Sequence, residues 1–392
     1  MTQAPLAIDF ADPALIANPY PVYKMLRETD PCMLVGDDGP FVLTRYADVD
    51  EVLRDFDRFS NQRDRGRDED LETDQSMLNR DPPDHTRLRG LVSRAFTPRR
   101  IATMEAHIRE TAHELLDEVA GEDEFDLMTN LAALLPTVVI AEMIGVPSDD
   151  REQFKAWSTD IIGLDNPSPE LAAAGEAARD SLWAYFADQV ERRRHDPAED
   201  LITRLIAAEE EGDQLSTNEL IATLILLLLA GNETTTNLIG NGLKALLEHP
   251  DQLELLRAQP ELLDSAVEEL LRYDAPVQLD PRVVLREIEY GGKIISPDRV
   301  VFPFIGAANR DPEEFSEPDA LDIRREDAGN ISFGRGIHFC LGAPLARLEG
   351  KIAFEALIDR FSAIDFGSRM PVYKRNLIFR GFESFPIVVQ RS

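Results

Sequence analysis

Along most of this chain, apolar residues recur at the three-to-four-residue spacing that is typical of amphipathic helices. The longest such segments are 101–119, 127–144, 157–190 and 262–271, with shorter ones around Tyr23 and Val49. Short runs typical of strands lie at 33–35, 41–43, 283–285, 294–295, 300–302 and 387–389. The pattern predicts a mainly α fold, helix-rich, with a minor β-sheet region.

The longest predicted helix begins near Ser216 and ends near His249. Ser216 and Glu219 have the spacing of a capping box, in which each side chain bonds to the backbone amide of the other. Its apolar stretch, 220–231, is about half of the ~20 residues that a membrane span requires. We therefore expect a core helix, roughly 45 Å long at 1.5 Å per residue.

Charge and composition narrow the class of protein. The chain has 392 residues and a net charge of −32, from 73 acidic and 41 basic residues. We do not expect nucleic acid as a partner, because phosphate binding requires a basic face. We expect no signal peptide and no membrane anchor, and we expect one domain over 1–392, since no linker is evident in the sequence. Two cysteines are too few for a disulfide framework, so we expect a cytoplasmic protein, with Cys32 in a buried strand.

A ten-residue stretch that ends at Gly342 carries the strongest chemical signal. Cys340 follows a glycine-containing turn, and Pro344 suits the first turn of a helix. At a helix N-terminus, backbone amides and the helix dipole favour the thiolate form of a cysteine. An isolated cysteine, however, is more often a buried structural residue.

The spacing of the neighbouring residues decides between these interpretations. The stretch resembles the haem-binding loop of the cytochrome P450 superfamily, the haem-thiolate monooxygenases, at Phe333, Gly336, His338, Cys340 and Gly342. The resemblance implies that Cys340 is the metal ligand of haem b (iron protoporphyrin IX) and that Phe333 shields its sulfur. His338 would reach a haem propionate, and the two glycines would let backbone approach the macrocycle.

The centre of the long helix has residues that disfavour helices. A glycine, a carboxylate and three threonines interrupt an apolar segment at 231–236. Gly231 could simply permit close packing while Glu233 faces water. The run nevertheless resembles the Ala-Gly-x-Glu-Thr signature of the same family, which implies catalytic roles: Glu233 relays protons from solvent and Thr234 positions a proton-bearing water. We also expect Thr234 to bond to the Ala230 carbonyl and to bend or open the helix locally.

A Glu-x-x-Arg motif lies at Glu269 and Arg272, flanked by apolar residues. Such a pair is common on exposed helices, but here it is expected to be partly buried. The resemblance implies that Arg325 completes an ion cluster that holds the haem loop. Ala320 and Leu321 replace an Arg-Phe pair often found in the family, which affects loop packing only.

Haem carries two propionates, so cationic residues should converge on it. His85 and Arg89 are four residues apart, hence on one helix face, although they could be an ordinary surface pair. The resemblance places Arg282 on a strand that binds a propionate. The other histidines show no metal-ligand spacing.

The resemblance covers essentially the whole chain and implies a monooxygenase. It would insert one atom of O2 into a lipophilic small molecule, using electrons from a separate ferredoxin-type partner and its NAD(P)H reductase. A peroxide-using or oxygen-independent haem-thiolate enzyme is the alternative, although such enzymes usually lack the acid–alcohol pair. A non-catalytic haem sensor is a second alternative.

The same resemblance also predicts which residues contact the substrate and which form the surface for the redox partner. We expect the apolar substrate pocket to be lined by Met77, Leu78, 161–174, Leu226, Leu229, 277–279, Leu377 and Ile378. We expect a basic patch for an acidic ferredoxin, formed by Arg80, Arg87, Arg94, Arg99, Arg100, Arg335 and Arg347.

Overall fold

Helices dominate the computed structural model, which describes residues 8–62, 75–162, 169–210, 215–326 and 329–391. The sequence also predicts loops at 63–70 and 165–169, of which 63–70 and 165–168 lie outside these ranges. The α-helices of the described residues are α1 (Pro13–Ala17), α2 (Tyr20–Thr29), α3 (Tyr46–Arg54), α4 (Asp84–Ala95), α5 (Pro98–Glu118), α6 (Leu134–Ile144), α7 (Arg151–Ile162), α8 (Pro169–His195), α9 (Leu201–Glu210), α10 (Thr217–Glu248), α11 (Pro250–Ala258), α12 (Leu263–Tyr273), α13 (Ile305–Ala308) and α14 (Ala343–Arg360).

The strands are short, as the sequence pattern predicts. They are β1 (Cys32–Leu34), β2 (Phe41–Leu43), β3 (Phe59–Ser60), β4 (Glu124–Asp126), β5 (Arg282–Val284), β6 (Ile288–Tyr290), β7 (Lys293–Ile295), β8 (Val300–Pro303), β9 (Phe361–Phe366), β10 (Val372–Tyr373), β11 (Phe382–Ser384) and β12 (Pro386–Arg391). The largest sheet has the order β1-β2-β8-β5-β3, in which only β2 and β8 are parallel. A second sheet has the order β4-β12-β9, and β6-β7 and β10-β11 are two-stranded.

The chain divides into two compact units. The first comprises Met1–Arg63, Ala106–Ala132 and Thr234–Ser392, and the second comprises Asp64–Glu105 and Ala133–Glu233. All the strands named above belong to the first unit, whose core packs apolar side chains of the large sheet against α3 and α13. In the second unit, aromatic rings join α7 to α8, with the Phe154 and Tyr185 centroids 4.7 Å apart.

The long helix begins and ends where the sequence predicts. The Ser216 amide donates to Glu219 Oε2 at 2.8 Å, and the Glu219 amide donates to Ser216 Oγ at 3.1 Å, which is the predicted capping box. α10 is long and apolar enough to cross a membrane, but 61% of its apolar window is buried in the protein. A core helix passes the same test, so this finding is weak evidence for a membrane span.

Two helical predictions differ from the structure in detail. The segment 127–144 is not one α-helix, since a π-helix at Met128–Ala132 precedes α6. The segment 157–190 contains the end of α7 and most of α8, with 163–168 outside the described residues. Cys32 is fully buried in β1 as expected, and burial raises the pKa of its thiol to about 12. Neither cysteine forms a disulfide bond in the described structure.

Candidate active site

The cysteine loop turns sharply before α14. Gly334 and Gly336 have φ angles of +70° and +65°, a backbone region that glycine adopts without strain. The Cys340 amide donates to the Phe333 carbonyl at 2.8 Å, which closes the loop. Cys340 lies three residues before α14 begins, and the residue is partly exposed. The loop therefore places one partly exposed cysteine just ahead of a helix N-terminus.

Gly336 is fixed by a close backbone contact. A Cβ at this position would lie 2.8 Å from the Leu53 carbonyl oxygen and 2.9 Å from Arg54 Cα, at the end of α3. A side chain there would force the loop away from α3. Beside the thiol, a Cβ on Gly342 would lie 4.0 Å from Cys340 Sγ and within 4 Å of nothing else. The surface next to the sulfur is thus kept open by the absence of a side chain.

The predicted ion cluster is confirmed, and it is deeply buried. Arg272 donates through Nε and a terminal nitrogen to the two oxygens of Glu269, at 2.7 and 2.8 Å. Arg325 Nε donates to Glu269 Oε2 at 3.1 Å. Because Glu269 and Arg272 are only 2% and 1% exposed, either charge would be costly to bury alone.

Hydrogen bonds lead from this cluster to the cysteine loop. Arg272 donates to the Asn309 carbonyl at 2.9 Å. The Asn309 side chain donates to Ser332 Oγ at 2.8 Å and accepts from the Ile331 amide at 2.9 Å. Ser332 immediately precedes Phe333, so the ion cluster fixes the start of the loop.

The centre of α10 belongs to one continuous α-helix, and the predicted bond from Thr234 to the Ala230 carbonyl stays a prediction. Gly231 has the packing role that we considered as the alternative, because a Cβ there would lie 3.2 Å from Ile140 Cγ1 of α6. Positions that keep some exposure in this part of the helix include Leu226, Leu229, Glu233 and Thr234. Their spacing of three, four and one places them on one helix face. The acid–alcohol pair therefore continues an apolar, accessible stripe.

Sequence reasoning missed one buried acid near this pair. Glu349 of α14 is 2% exposed and accepts a hydrogen bond from Thr235, the residue after Thr234. Burial raises the pKa of Glu349 to about 8, and the bond from Thr235 opposes that shift in part. The apolar environment of Glu349 arises from the packing of two helices that are distant in sequence, so no local motif marks it.

Comparison with known proteins decides the family. The family model for cytochrome P450 matches residues 31–378. Vitamin D(3) 25-hydroxylase of Pseudonocardia autotrophica is 44% identical over 384 residues, which cover 95% of this chain and 94% of the relative. This chain is a cytochrome P450.

Other relatives agree with this assignment. 6-Deoxyerythronolide B hydroxylase of Saccharopolyspora erythraea is 40% identical over 389 residues, which cover 94% of this P450 and 95% of the relative. The crystal structure of CYP109E1 from Bacillus megaterium in complex with testosterone has a TM-score of 0.91 and 38% identity, covering 96% of this chain and 98% of that one. The predicted mainly helical P450 fold is confirmed, and the chain is a P450 monooxygenase.

The cofactor of the P450 family is haem b, and the residues present fit this group. Cys340 is an accessible thiol ahead of a helix, and Gly342 leaves the surface beside the sulfur open. Thiolate is a known axial ligand of haem iron. Cys32 does not suit this role, because it is fully buried and burial raises the pKa of its thiol, which disfavours the thiolate.

The predicted propionate ligands of this P450 lie in both units. His85 and Arg89 are on α4 of the second unit, and His85 is 2% exposed. Burial, and then the charge of Arg89, lowers the pKa of His85. Arg282 of β5 is 3% exposed and contacts Asp280 at 2.7 Å, while His338 ends a short 3₁₀ helix in the cysteine loop. Their roles towards haem stay predictions.

Several other predicted site residues are placed differently from the expectation. Gln278 is fully buried, with its amide against Gly306, so it does not line an open pocket in the described structure. Part of the predicted 161–174 lining lies outside the described residues. Of the expected basic patch, three arginines are engaged by carboxylates: Arg87 by Glu219, Arg335 by Asp50 and Arg347 by Glu268. Arg94 and Arg99 are exposed.

Proposed function

We propose that this P450 inserts one oxygen atom from O2 into a lipophilic small molecule by hydroxylation or epoxidation. Electrons come from a separate ferredoxin-type protein and its NAD(P)H reductase, and the enzyme works in the cytoplasm. The observation that carries the proposal is the accessible Cys340 thiol in a loop held by a buried ion cluster, together with an acid–alcohol pair on an accessible face of α10.

In this proposal Cys340 would bind the haem iron through its thiolate, and three contacts within the chain fix the position of Cys340. Gly336 seats the loop on the end of α3, the Phe333 carbonyl binds the Cys340 amide, and Asn309 ties the start of the loop to Arg272. When bound, haem supplies the redox-active iron, and thiolate ligation favours cleavage of the oxygen–oxygen bond. The propionates would be held by hydrogen bonds and charges from four residues: His85, Arg89, Arg282 and His338.

Glu233 and Thr234 have the residue types for proton delivery. The carboxyl of Glu233 exchanges protons with solvent, and the hydroxyl of Thr234 both accepts and donates hydrogen bonds, so it orients a water next to the reacting oxygen. Both side chains keep partial exposure on the helix face that also carries Leu226 and Leu229. Proton delivery is thereby placed beside an apolar surface.

The same face indicates the class of substrate. Leu226 and Leu229 offer apolar contact, which suits a lipophilic molecule with few polar groups. The relatives named above include a vitamin D(3) hydroxylase, a 6-deoxyerythronolide B hydroxylase and a protein crystallised with testosterone. We propose a sterol-like or polyketide-like substrate, which a spectral binding screen over both classes would identify.

The ligand assignment is tested with the two cysteines of the chain as a matched pair. Thiolate ligation gives the reduced carbon monoxide complex the strongly red-shifted Soret band of the family. We expect Cys340→His to lose that band and Cys32→Ser to keep it. A Cys340→His protein with the wild-type spectrum would exclude Cys340 as the ligand. Loss of the band in Cys32→Ser alone would contradict the assignment as well.

A further inference from the structure

Arg347 contacts the aromatic ring at the start of the cysteine loop. Its guanidinium carbon lies 4.4 Å from the centre of the Phe333 ring, within the range of a cation–π contact. Phe333 is also the backbone partner of Cys340, since its carbonyl accepts from the Cys340 amide at 2.8 Å. Arg347 therefore contacts the residue whose backbone carbonyl is hydrogen-bonded to the Cys340 amide.

Glu268 fixes the orientation of Arg347. Both Nε and a terminal nitrogen of Arg347 donate to the Glu268 carboxylate, the second at 3.2 Å. A two-point contact of this kind sets the plane of the guanidinium, which a single contact does not. Glu268 Oε2 also accepts from Asn330 Nδ2 at 2.9 Å, and Asn330 lies three residues before Phe333. The Glu268 carboxylate is thus held by Arg347 of α14 and by Asn330 just before the cysteine loop.

The pair contributes little to global stability. Its side chains are 37% and 27% exposed, and solvent screening leaves such ion pairs with a small effect on stability. A second pair joins the same two helices one turn away, with Lys351 Nζ 2.8 Å from Asp264 Oδ1. A tie between α12 and α14 is therefore already present, and the distinctive feature of Arg347 is the stacked ring.

We propose that Glu268 and Arg347 are positioning residues that clamp the Phe333 ring beside Cys340 and keep water from the sulfur. The inference deepens the proposed function and rests on it, since it takes Cys340 as the haem ligand. Groups around a ligand control solvent access and tune the bound metal. Without the clamp, the Phe333 ring retains its contact with the Phe339 ring, 6.4 Å between centroids, but loses the cation that holds it, and water can then reach the sulfur.

The test follows thiolate ligation in the purified holoenzyme. In Arg347→Gln and in Glu268→Gln, we expect the red-shifted band of the reduced carbon monoxide complex to decay roughly tenfold faster than in the wild type, within the range for residues around a metal ligand. Haem content and thermal midpoint should stay close to wild type. Lys351→Gln removes the neighbouring pair without touching the ring and should keep the wild-type decay rate.

Exchanging the two charged residues distinguishes a clamp on the Phe333 ring from a simple ion pair between α12 and α14. Glu268→Arg combined with Arg347→Glu restores an ion pair between α12 and α14 but places a carboxylate near the ring. We expect fast decay in this double variant. Wild-type decay in the swap, or equal decay in Arg347→Gln and Lys351→Gln, overturns the clamp. A wild-type protein that never shows the red-shifted band refutes the proposed ligand itself, which distinguishes the two failures.

Discussion

The carboxyl group of Glu349 on α14 accepts a hydrogen bond from Thr235 on α10 in the protein interior. This contact joins the helix that follows Cys340 to the helix that carries Thr234. Close packing surrounds it, because a Cβ on Gly350 would lie 2.9 Å from Leu238 Cδ2. A protonated carboxyl group suits such an environment, since burial away from water disfavours the charged form of a carboxyl group.

Glu349 should make stability depend on pH. Burial raises its pKa to about 8, whereas an unfolded glutamate titrates near pH 4.3. The stabilising effect of the proton is fully present below the unfolded pKa and is lost as pH rises through the folded pKa. Between the two, the group lowers the free energy of unfolding by up to about 1.4 kcal/mol per pH unit.

We expect Glu349→Gln to remove this slope, so that its stability relative to wild type rises from about pH 5 to pH 8. Urea unfolding at several pH values measures the difference. Glu287→Gln, at an exposed position, is the control and should run parallel to the wild type. Parallel curves for Glu349→Gln would show that the carboxyl titrates normally.

The ion cluster predicts that two adjacent arginines, Arg324 and Arg325, contribute very differently to stability. Arg325 is 9% exposed and binds Glu269, whereas Arg324 is exposed. Removing one partner of a buried charge network costs about 3–5 kcal/mol, and we expect Arg325→Ala to approach this range. Arg324→Ala should change stability by no more than about 0.5 kcal/mol. Thermal unfolding and haem content measure both effects, and equal effects would show that the buried cluster does not hold the loop.

Several features that sequence reasoning identified follow from local spacing, whereas the place of Arg325 in the ion cluster came from the family resemblance. The capping box at Ser216, the turn before Cys340 and the Glu269–Arg272 pair are each set within a few residues of chain. The strand β9 was not predicted, since it follows α14 directly and gains its pairing from β12. Glu349 and the Arg347 contact were missed for the same reason. Each depends on elements that tertiary packing brings together.

The structure also changes which arginines are expected to bind a redox partner. Arg87 is bound to Glu219 in the N-terminal turn of α10, so replacing it would disturb the helix cap. Arg99 is exposed and is the better test. We expect Arg99→Glu to slow reduction by an acidic ferredoxin and to flatten its salt dependence. Arg192→Glu, exposed on α8, is the control, and stopped-flow reduction at several salt concentrations is the measurement. Identical salt profiles would exclude Arg99 from the docking surface.

The acid–alcohol pair gives the most direct test of catalysis, because the two side chains should fail in different ways. Thr234→Ala leaves substrate contact and electron supply intact, since neither step uses the hydroxyl. Without an oriented water, reduced oxygen leaves as hydrogen peroxide. We expect product per NAD(P)H to fall steeply while peroxide rises by a matching amount. Thr236→Ala, two residues along the helix, is the control and should remain coupled.

Glu233→Gln should instead slow turnover. A glutamine cannot exchange a proton with solvent, so proton supply becomes limiting while Thr234 still directs it. We expect a lower rate, a larger solvent isotope effect and less peroxide than in Thr234→Ala. NAD(P)H consumption, product and peroxide measured together separate the two patterns.

If both residues merely shape α10, the two variants will instead show similar losses of haem content and stability. Wild-type rate and coupling in both folded variants would exclude the pair from the chemistry.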